Sequence, residues 1–350
     1  MDEIEFFQLP RNRLVRGIGC NLMARKLPRI ALIGCGVNMQ WHARRIASTP
    51  EAQIVALVDP NPDSRTNLRE KAAITPNEYE DHRELLKKED LDAVFISTPH
   101  AHHFVQVRDA LNAGCHVIVE KPLTTTSSDA AKLLRLAEKK ERYLMVSYQR
   151  LQQNAYMYGA ELIAKGKIGE VRGVSCYITQ RWARGGWRVV PELSGGGFLF
   201  DTGSHLIAST LDLTGLTPVK VQATIDNDGM PVDFRAVLGV EFENGAIGGL
   251  TFLGNTKRHE EIITIHGSEG CITFRQSEWK MREVLMNNEP LTIPARVKGR
   301  APSKVLFDWM RTNGKGYSLP WVAVDTIRLT EGAYASAEAG APVKLKKVRV

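Results

Sequence analysis

Residues 29–39, RIALIGCGVNM, join a short apolar strand to the start of a helix through two glycines, Gly34 and Gly36. A glycine pair at such a junction is typical of a loop that holds a dinucleotide pyrophosphate against a helix N-terminus. Gly34 would allow the tight turn, and Gly36 would let the backbone approach the phosphates. Met39 stands at the third glycine position of Gly-x-Gly-x-x-Gly. The motif alone is therefore weak, and an ordinary strand-to-helix turn is the alternative.

Short apolar runs and helical segments alternate from this loop to about residue 150. The predicted strands are Arg29–Gly34, Ile54–Asp59, Ala93–Ser97, His116–Glu120 and Tyr143–Ser147. The predicted helices are Gln40–Ser48, Asn61–Ala73, Phe104–Ala113 and a segment that opens at Ser127 or Ser128. Apolar strands that alternate with helices indicate a parallel sheet covered on both faces, with its ligand at the carboxyl ends of the strands. We therefore predict a doubly wound α/β domain over residues 29–150.

The pattern changes over residues 151–350, where strands follow one another directly. After a predicted helix, Ala155–Ala164, the predicted strands are Val171–Thr179, Val219–Ile225, Asp233–Glu243, Ala246–Leu253, Glu261–His266 and Cys271–Phe274. Asn244-Gly245 between two of them is a strong two-residue hairpin signal. The order predicts an α+β domain with a large, mainly antiparallel open sheet and helices on one face. The other face is expected to join copies of the chain.

The composition argues against several classes of protein. Among 350 residues, 46 are Lys or Arg and 39 are Asp or Glu, which gives a net charge of +7. These basic residues are scattered and form no stripe of the kind that binds nucleic acid. No apolar run approaches the ~18 residues of a membrane span. We therefore expect neither a nucleic acid nor a membrane as a partner.

The cysteines and the N-terminus bear on the cellular compartment. The five cysteines are an odd number without a Cys-x-x-Cys pair, which disfavours a disulfide framework or a zinc site. Residues 1–28 hold no continuous apolar segment, so a secretory signal is disfavoured as well. We expect a cytoplasmic protein with an N-terminal extension over residues 1–28. This stretch is either an ordered arm or a segment upstream of a start at Met23.

Asp59 ends the second predicted strand and bears on the choice of cofactor. A carboxylate at this position accepts hydrogen bonds from the adenosine ribose and would repel a 2′-phosphate, which favours NAD over NADP. Arg65 is close enough in the sequence to accept that phosphate instead. NADP therefore stays open as an alternative.

Residues 97–103, STPHAHH, end the third predicted strand and contain three histidines. The histidines suggest a metal site, but no carboxylate or cysteine stands nearby at ligand spacing, and zinc sites usually draw on more than one segment. The favoured interpretation is a loop that lies along the cofactor. The residues expected to contact the cofactor from this loop are Ser97, Thr98, Pro99, His100 and His103, and no metal is predicted.

The ordered motifs of the whole chain resemble the glucose–fructose oxidoreductase/inositol dehydrogenase/rhizopine-catabolism (Gfo/Idh/MocA) family. The resemblance covers about residues 29–345 and runs through RIALIGCG, IVALVD, STPHAHH, ALNAGCHVIVEKPL, GKIGEV, SGGGFLFDTGSHL and EGAYASAEAG. It implies a Rossmann domain followed by a domain whose open sheet carries the substrate site and mediates oligomerisation. Most members move a hydride between NAD(P) and a hydroxyl-bearing carbon of a sugar or cyclitol.

The resemblance implies a catalytic set of Lys121, Asp201 and His205. Asp201 and His205 are four residues apart, so in a helix they would lie one turn apart on one face. A carboxylate in that position would orient the imidazole for a proton relay. Lys121 would hydrogen-bond the reacting oxygen. Whether Lys121 or His205 is the immediate base stays open.

Other positions are expected in the site through the same resemblance. The cofactor is expected to contact Gly34, Gly36, Val37, Asn38, Met39, Asp59, Arg65, the 97–103 loop residues named above, Glu120, Lys121 and Gln149. The substrate is expected to contact Lys121, Gln149, Trp182, Trp187, Asp201 and His205. The family has two consecutive arginines just after the position of Gln149. This chain has only Arg150, followed by Leu151, and a substrate role for Arg150 is therefore in doubt. The arginines of residues 181–188, RWARGGWR, could hold a carboxylate or phosphate, and its tryptophans either stack on a sugar ring or pack in the core.

The sequence thus predicts an NAD-dependent dehydrogenase that acts on a ring hydroxyl or ketone of a sugar, sugar acid or cyclitol. A homodimer or homotetramer is expected to form through the C-terminal sheet. Three other functions stay open: an NAD-dependent glycosidase that uses transient oxidation, a regulator that binds a dinucleotide or sugar, and a reductase of an aldehyde or non-sugar ketone. The intact set of Lys121, Asp201 and His205 argues against the regulator, since binding alone needs no proton relay.

Overall fold

The computed structural model describes residues 27–49, 51–314 and 320–348. Two sheets organise these residues, a parallel sheet in the first domain and a mainly antiparallel sheet in the second. The predicted fold class is therefore confirmed. The predicted extension over residues 1–28 lies almost entirely outside the described residues.

The first sheet is parallel throughout and has six strands. They are β1 (Arg29–Ile33), β2 (Gln53–Val58), β3 (Asn77–Tyr79), β4 (Ala93–Ile96), β5 (His116–Val119) and β6 (Leu144–Val146). The spatial order β3-β2-β1-β4-β5-β6 is that of a Rossmann fold, in which ligands bind where the order reverses, between β1 and β4. The helices of this domain are α1 (Val37–Ala47), α2 (Pro62–Ala72), α3 (His82–Lys88), α4 (His100–Asn112) and α5 (Ser127–Lys139).

The second sheet has nine strands and lies in the C-terminal part of the chain. They are β7 (Val171–Arg181), β8 (Pro218–Asp226), β9 (Arg235–Phe242), β10 (Ile247–Leu253), β11 (Asn255–Gly267), β12 (Cys271–Ser277), β13 (Lys280–Met286), β14 (Glu289–Pro290) and β15 (Val343–Lys344). Only β7 and β10 pair in parallel within this sheet as described. Its side chains alternate between buried and exposed along β9 and β10, so one face packs on helices and the other stays open.

The remaining helices cover the second sheet and connect the two domains. They are α6 (Asn154–Ala164), α7 (Pro191–Ser194), α8 (Gly203–Thr214), α9 (Pro302–Arg311) and α10 (Trp321–Ala339), with 3-10 turns at Gln149–Gln152 and Gly186–Val189. The apolar side chains of α9, including Leu306 and Met310, join the core of the first domain. Residues of α10 take part in both cores, so the end of the chain ties the two domains together.

Some local predictions differ from the structure. The turn after β9 is longer than two residues, because the Phe242 N–H donates to Ala246 O and encloses three residues, with Gly245 left-handed at φ +86°. The elements β3, α3, β13 and β14 are too short or too polar to stand out in the sequence. None of the helices among the described residues is both long and apolar enough to span a bilayer.

Candidate active site

The loop after β1 fits a dinucleotide pyrophosphate. Gly34 has φ +88°, and a Cβ there would lie 2.5 Å from Ser97 O, so glycine is required where β1 meets β4. A Cβ on Gly36 would meet no atom within 4 Å and would project into the adjoining cleft. Gly36 also precedes α1 without a side-chain cap, and no acidic residue stands in the first turn. The first N–H groups of α1 are thus available to an anion.

Asp59 supports this loop with its side chain. One carboxylate oxygen accepts the Cys35 N–H at 2.8 Å, and the other accepts the Asn61 N–H at 2.9 Å. The Arg65 guanidinium donates to the backbone oxygen of Asp59 and to Glu78 at 3.1 Å. Arg65 is therefore already paired, while the Asp59 carboxylate lies directly beside the loop. This arrangement disfavours a 2′-phosphate.

The predicted loop after β4 ends at Pro99, because α4 begins at His100, and the two buried histidines in the first turn of this helix have separate roles. His100 borders the cleft, and its Nε2 lies 3.9 Å from Asp201 Oδ1. His103 is fully buried, with one ring nitrogen 2.8 Å from Pro122 O and the other 3.0 Å from Thr98 O. His103 therefore joins two loops of the site from beneath. Burial lowers the pKa of His100 to about 3.

Lys121 and Asp201 form the ion pair at the inner end of the cleft. Lys121 follows β5, and its Nζ donates to the Asp201 carboxylate and, at 2.9 Å, to Asp201 O. The Asp201 carboxylate also accepts Trp182 Nε1 at 3.0 Å and Arg188 Nε at 3.1 Å. Burial alone would raise the pKa of the Asp201 carboxyl, but the charges around it hold that pKa well below its ordinary value. Asp201 is therefore ionised.

The glycine-rich segment SGGGFLFD presents Asp201 to the cleft. Both oxygens of the Asp233 carboxylate accept backbone N–H groups of this segment, from Gly197 and Leu199, each at 2.7 Å. A Cβ on Gly197 would lie 2.0 Å from Asp233 O, so only glycine permits this approach. The Tyr334 hydroxyl donates to Asp233 at 2.6 Å and fixes the segment to α10.

His205 does not pair with Asp201 as the spacing predicted. The spacing would place the two one turn apart if both were helical, but α8 begins at Gly203, with Thr202 at its N-cap, and Asp201 precedes it. The Asp201 carboxylate instead engages Lys121, and His205 Nδ1 has no hydrogen-bond partner within the described part of the chain. Burial lowers the pKa of His205 well below its ordinary value, and the nearby positive charge of Arg150 lowers it further. The imidazole is therefore neutral.

Glu120 and His42 form a second buried pair beside Lys121. His42 Nε2 lies 3.0 Å from Glu120 Oε1. Burial alone would raise the pKa of Glu120, but the hydrogen bond with His42 and the charge of Lys121 hold it below its ordinary value. The carboxylates of Asp201 and Glu120 both lie near Lys121, and their negative charges offset that of the lysine.

The two predicted substrate tryptophans differ in their surroundings. Trp182 is buried among Phe198 and Phe234, and its N–H reaches Asp201, so it packs mainly in the core and only a small exposed part of it borders the cleft. This agrees with the second of the two interpretations of the segment. Trp187 borders the cleft and contacts His100 edge to face at 4.7 Å. Trp187 is thus the tryptophan available to a ligand in this segment.

The cleft lies between the two domains. Its narrow inner part has a volume of about 220 Å³ and its outer part about 610 Å³. Both parts share Asn38, Glu120, Lys121, Arg188 and Asp201. The inner part reaches the glycine loop, so a nicotinamide bound there would lie against Lys121 at the entrance of the outer part.

Most of the predicted site residues meet in this cleft. The lining contains Gly36, Val37, Asn38, Ser97, Thr98, His100, Glu120, Lys121, Gln149, Trp182, Trp187, Asp201 and His205. Met39 does not join them, because its side chain is fully buried in the core of the first domain. Five predicted residues lie outside the lining: Gly34, Asp59 and Pro99 in the turns that follow strands, Arg65 in α2 and His103 in α4.

Several lining residues were missed from the sequence. On α1 they are Trp41, His42 and Arg45, which continue from Asn38 with the three- and four-residue spacing of one helix face. That spacing was a usable signal. The others come from separate segments and are Gln153, Gln180, Ala183, Thr202, Gln276 and Trp279. Arg181 and Arg188, whose segment was proposed to hold a carboxylate or phosphate, line the cleft as well. Arg150 also lines the cleft, with its Nη2 2.7 Å from Glu261.

The fold and the site define an NAD-binding oxidoreductase of two domains. Two family descriptions match the chain: "Oxidoreductase family, NAD-binding Rossmann fold" at residues 28–148 and "GFO/IDH/MocA C-terminal domain" at residues 156–273. The chain belongs to the Gfo/Idh/MocA family of oxidoreductases, as its motifs predicted. The predicted NAD cofactor agrees with the first of these descriptions.

Individual relatives share the chain's sequence or its fold. An uncharacterized oxidoreductase of Schizosaccharomyces pombe is 37% identical over 146 residues, which are 41% of this chain and only 39% of that protein. The dTDP-3,4-didehydro-2,6-dideoxy-alpha-D-glucose 3-reductase of Saccharopolyspora spinosa is 27% identical over 277 residues, 73% of this chain and 78% of the reductase. The WlbA dehydrogenase from Bordetella pertussis, solved with NADH and UDP-GlcNAcA, matches with a TM-score of 0.81 and 21% identity, over 92% of this chain and 99% of that one. This last likeness shows a shared fold.

Proposed function

We propose that the chain is an NAD-dependent dehydrogenase acting on a ring hydroxyl, or the corresponding ketone, of a sugar, sugar acid or cyclitol. The observation that carries the proposal is the position of Lys121. Its ammonium lies between the glycine loop and the outer cleft, paired with Asp201, and His205 lines the same cleft. A ring hydroxyl in the outer cleft can therefore meet a hydrogen-bond donor and a base beside the nicotinamide position.

Lys121, His205 and Asp201 would have separate roles in the oxidation. Bound NAD would supply the hydride acceptor. Lys121 would hydrogen-bond the reacting oxygen and stabilise negative charge that develops on it. His205 is neutral because of burial, so its ring can accept the hydroxyl proton. Asp201 stays ionised throughout and balances the charge of Lys121.

Positively charged side chains in the outer cleft favour an acidic substrate. Arg45 and Arg181 line it, and neither forms an ion pair with a carboxylate of the described residues. Arg45 does contact His42 and Ser303, but guanidinium groups whose charge no carboxylate pairs attract carboxylates and phosphates. The relatives agree in class, since one is named as a reductase of a nucleotide-linked keto sugar and another was solved with a nucleotide-linked sugar acid. We therefore place uronic acids first among the substrates to test.

The test is nicotinamide absorbance with purified protein, NAD⁺ or NADP⁺, and a panel of aldoses, uronic acids and inositols. Reduced cofactor that appears with one panel member supports the dehydrogenase and identifies its substrate class. Release of an aglycone from aryl glycosides without net reduction of cofactor would identify the glycosidase instead. Dinucleotide binding without turnover of any kind would contradict both.

We further propose that the open face of the second sheet joins copies of this chain into a homodimer or homotetramer. Val237 is 53% exposed and Ile247 is 66% exposed on that face, where β9 pairs with β10. Light scattering should give two or four times the mass of one chain. Val237→Lys with Ile247→Glu should lower that mass, and a monomer in the unmodified protein would contradict the proposal.

A further inference from the structure

Two exposed tryptophans, one from each domain, line the outer cleft. Trp41 on α1 is 66% exposed, and Trp279 between β12 and β13 is 52% exposed. They are the only aromatic side chains among the large exposed hydrophobic residues of the described ranges. Exposed aromatic rings are unfavourable in water, and their meeting in one cleft indicates a ligand with an apolar face.

Trp279 occupies a backbone position that suits a tryptophan poorly. Ser277 pairs with Lys280, so Glu278 and Trp279 form a two-residue turn, and both are left-handed, with φ +48° and +64°. Such turns favour Asn-Gly, and a bulky residue at positive φ is a rare and strained choice. Packing does not require this choice, since half of the side chain is exposed. Strain of this kind concentrates at functional sites.

His259 holds the indole of Trp279 in place. The two rings stack with centroids 3.8 Å apart and planes 21° from parallel. The backbone N–H of Trp279 donates to His259 Nδ1 at 3.2 Å. One face of the indole is therefore covered and fixed, while the exposed remainder of the side chain borders the cleft. This is a preformed platform for stacking.

Buried polar atoms without partners line the same part of the cleft. Arg150 is 5% exposed, and its Nη1 has no hydrogen-bond partner within the described residues, although its Nη2 is held by Glu261. Gln180 Oε1 is buried and likewise has no partner there. Burying such atoms is unfavourable unless something satisfies them. Hydroxyl groups can do so, because each one both donates and accepts.

We propose that the substrate has two linked sugar rings, the second of which binds against Trp279 and faces Trp41. This inference rests on the proposed function for the ring at Lys121. The second ring would stack its C–H face on the indole of Trp279 and direct its hydroxyls to Arg150 and Gln180. The outer cleft, at about 610 Å³, falls in the middle of the range of ligand pockets, about 300–1,000 Å³. The substrate class is thus a disaccharide or a glycosyl-extended sugar acid.

The test is calorimetric binding to the full chain loaded with NADH. Matched probes are glucose with cellobiose and maltose, galactose with lactose, glucuronic acid with a glucuronyl disaccharide, and UDP-glucose. At least one disaccharide should bind at least 10-fold more tightly than its monosaccharide. Equal affinities, no binding by any disaccharide, or a preference for UDP-glucose over every disaccharide would overturn the proposal. The last result would indicate that the tryptophans hold a nucleobase.

Variants of the turn between β12 and β13 test whether Trp279 causes the preference for a disaccharide over its monosaccharide. Trp279→Ala should remove the disaccharide preference and leave monosaccharide binding within about 2-fold, whereas Trp279→Phe should keep most of it. Lys280→Ala, in the same hairpin and exposed, is the matched control and should change nothing. Equal loss of both ligands in Trp279→Ala, or a disaccharide preference that survives it, would contradict the assignment.

A second variant separates binding from folding. Glu278→Asn with Trp279→Gly installs the residues that this turn favours, so the melting temperature should not fall below that of Trp279→Ala. The disaccharide preference should nevertheless be absent, and its persistence would contradict the proposal. Disaccharide binding without NAD⁺ reduction would leave this inference standing and contradict the dehydrogenase. NAD⁺ reduction by monosaccharides without any disaccharide preference would do the reverse.

Discussion

The inner and outer ends of the cleft differ in how their polar groups are satisfied. At the inner end, the Asp201 carboxylate engages Lys121, Trp182 and Arg188, and no ligand is needed to complete the arrangement. At the outer end, Arg150 Nη1 and Gln180 Oε1 have no hydrogen-bond partners among the residues described. The difference indicates that the charged groups of the inner end are already arranged before a substrate binds. The polar groups of the outer end would find their partners only when a substrate binds.

Lys121→Ala should have the largest effect, because it removes the donor around which the inner end is built. We expect turnover to fall by about 10³-fold, the scale of losing a proton-transfer or charge-stabilising group. Calorimetry should show NAD⁺ binding within about 3-fold of the unmodified protein. Lys132→Ala, an exposed lysine paired with Asp129, is the control and should keep full activity. Near-native turnover in Lys121→Ala would show that the inner end is not the reaction centre.

His205→Asn should lower turnover by about 10²-fold if the neutral imidazole accepts the proton. Steady-state kinetics should show the loss mainly in kcat, because the other residues that line the outer cleft are unchanged. His102→Asn changes an exposed histidine of α4 and serves as the control. If His205→Asn keeps full activity while Lys121→Ala does not, Lys121 is the immediate base.

Asp59→Asn should change cofactor preference by about 10-fold, since it removes the charge expected to repel a 2′-phosphate. The amide oxygen can still accept the Cys35 N–H, and the exposed Asn61 N–H, which the amide nitrogen cannot accept, can turn to water, so the loop should keep its shape. In the unmodified protein NAD⁺ should bind more tightly than NADP⁺, and the variant should narrow that gap. Asp63→Asn, on the exposed start of α2, is the control. Calorimetry with both cofactors measures the ratio, and an unchanged ratio would exclude Asp59 as its source.

The sequence predicted the inner end better than the outer end for a physical reason. Gly34 and Lys121 directly follow strands whose carboxyl ends meet at one edge, so their chain positions imply their proximity. The outer end brings together Arg150, Gln180 and Trp279, which are separated along the chain and meet only through the packing of the two domains. No local pattern encodes that meeting.

The pairing of Asp201 with His205 shows a second limit of sequence reasoning. Their spacing fitted a helix, but spacing does not fix where a helix begins, and α8 begins at Gly203. Trp182 shows a third limit, because a tryptophan in a polar segment can equally face a ligand or the core. Here its N–H is satisfied by a buried carboxylate, which the sequence alone does not reveal.

Of the changes considered, a change of pH should have the smallest effect on activity. Measured with stability, it separates the protonation of the reacting groups from the stability of the whole fold. Oxidation needs His205 unprotonated, and its pKa lies well below the ordinary 6.5. As pH falls through 6.5 the imidazole therefore stays neutral. We expect kcat/KM to change by less than about 2-fold between pH 7.5 and 5.5 on this account. A fall centred near pH 6.5 would show that the base is a solvated group.

Stability should respond to the same change of pH. The pKa values of His100 and His116 are lowered by burial to about 3, so these side chains stay neutral in the folded chain. In the unfolded chain they take up protons below 6.5, which favours unfolding as pH falls. Each such histidine should cost about 1 kcal/mol of stability between pH 7.5 and 5.5. Melting temperatures measured beside kcat/KM should therefore fall while kcat/KM stays flat, and His116→Asn should reduce that fall. If melting temperature and kcat/KM fell together, and by the same amount in His116→Asn as in the unmodified protein, His116 would not be a source of the acid sensitivity.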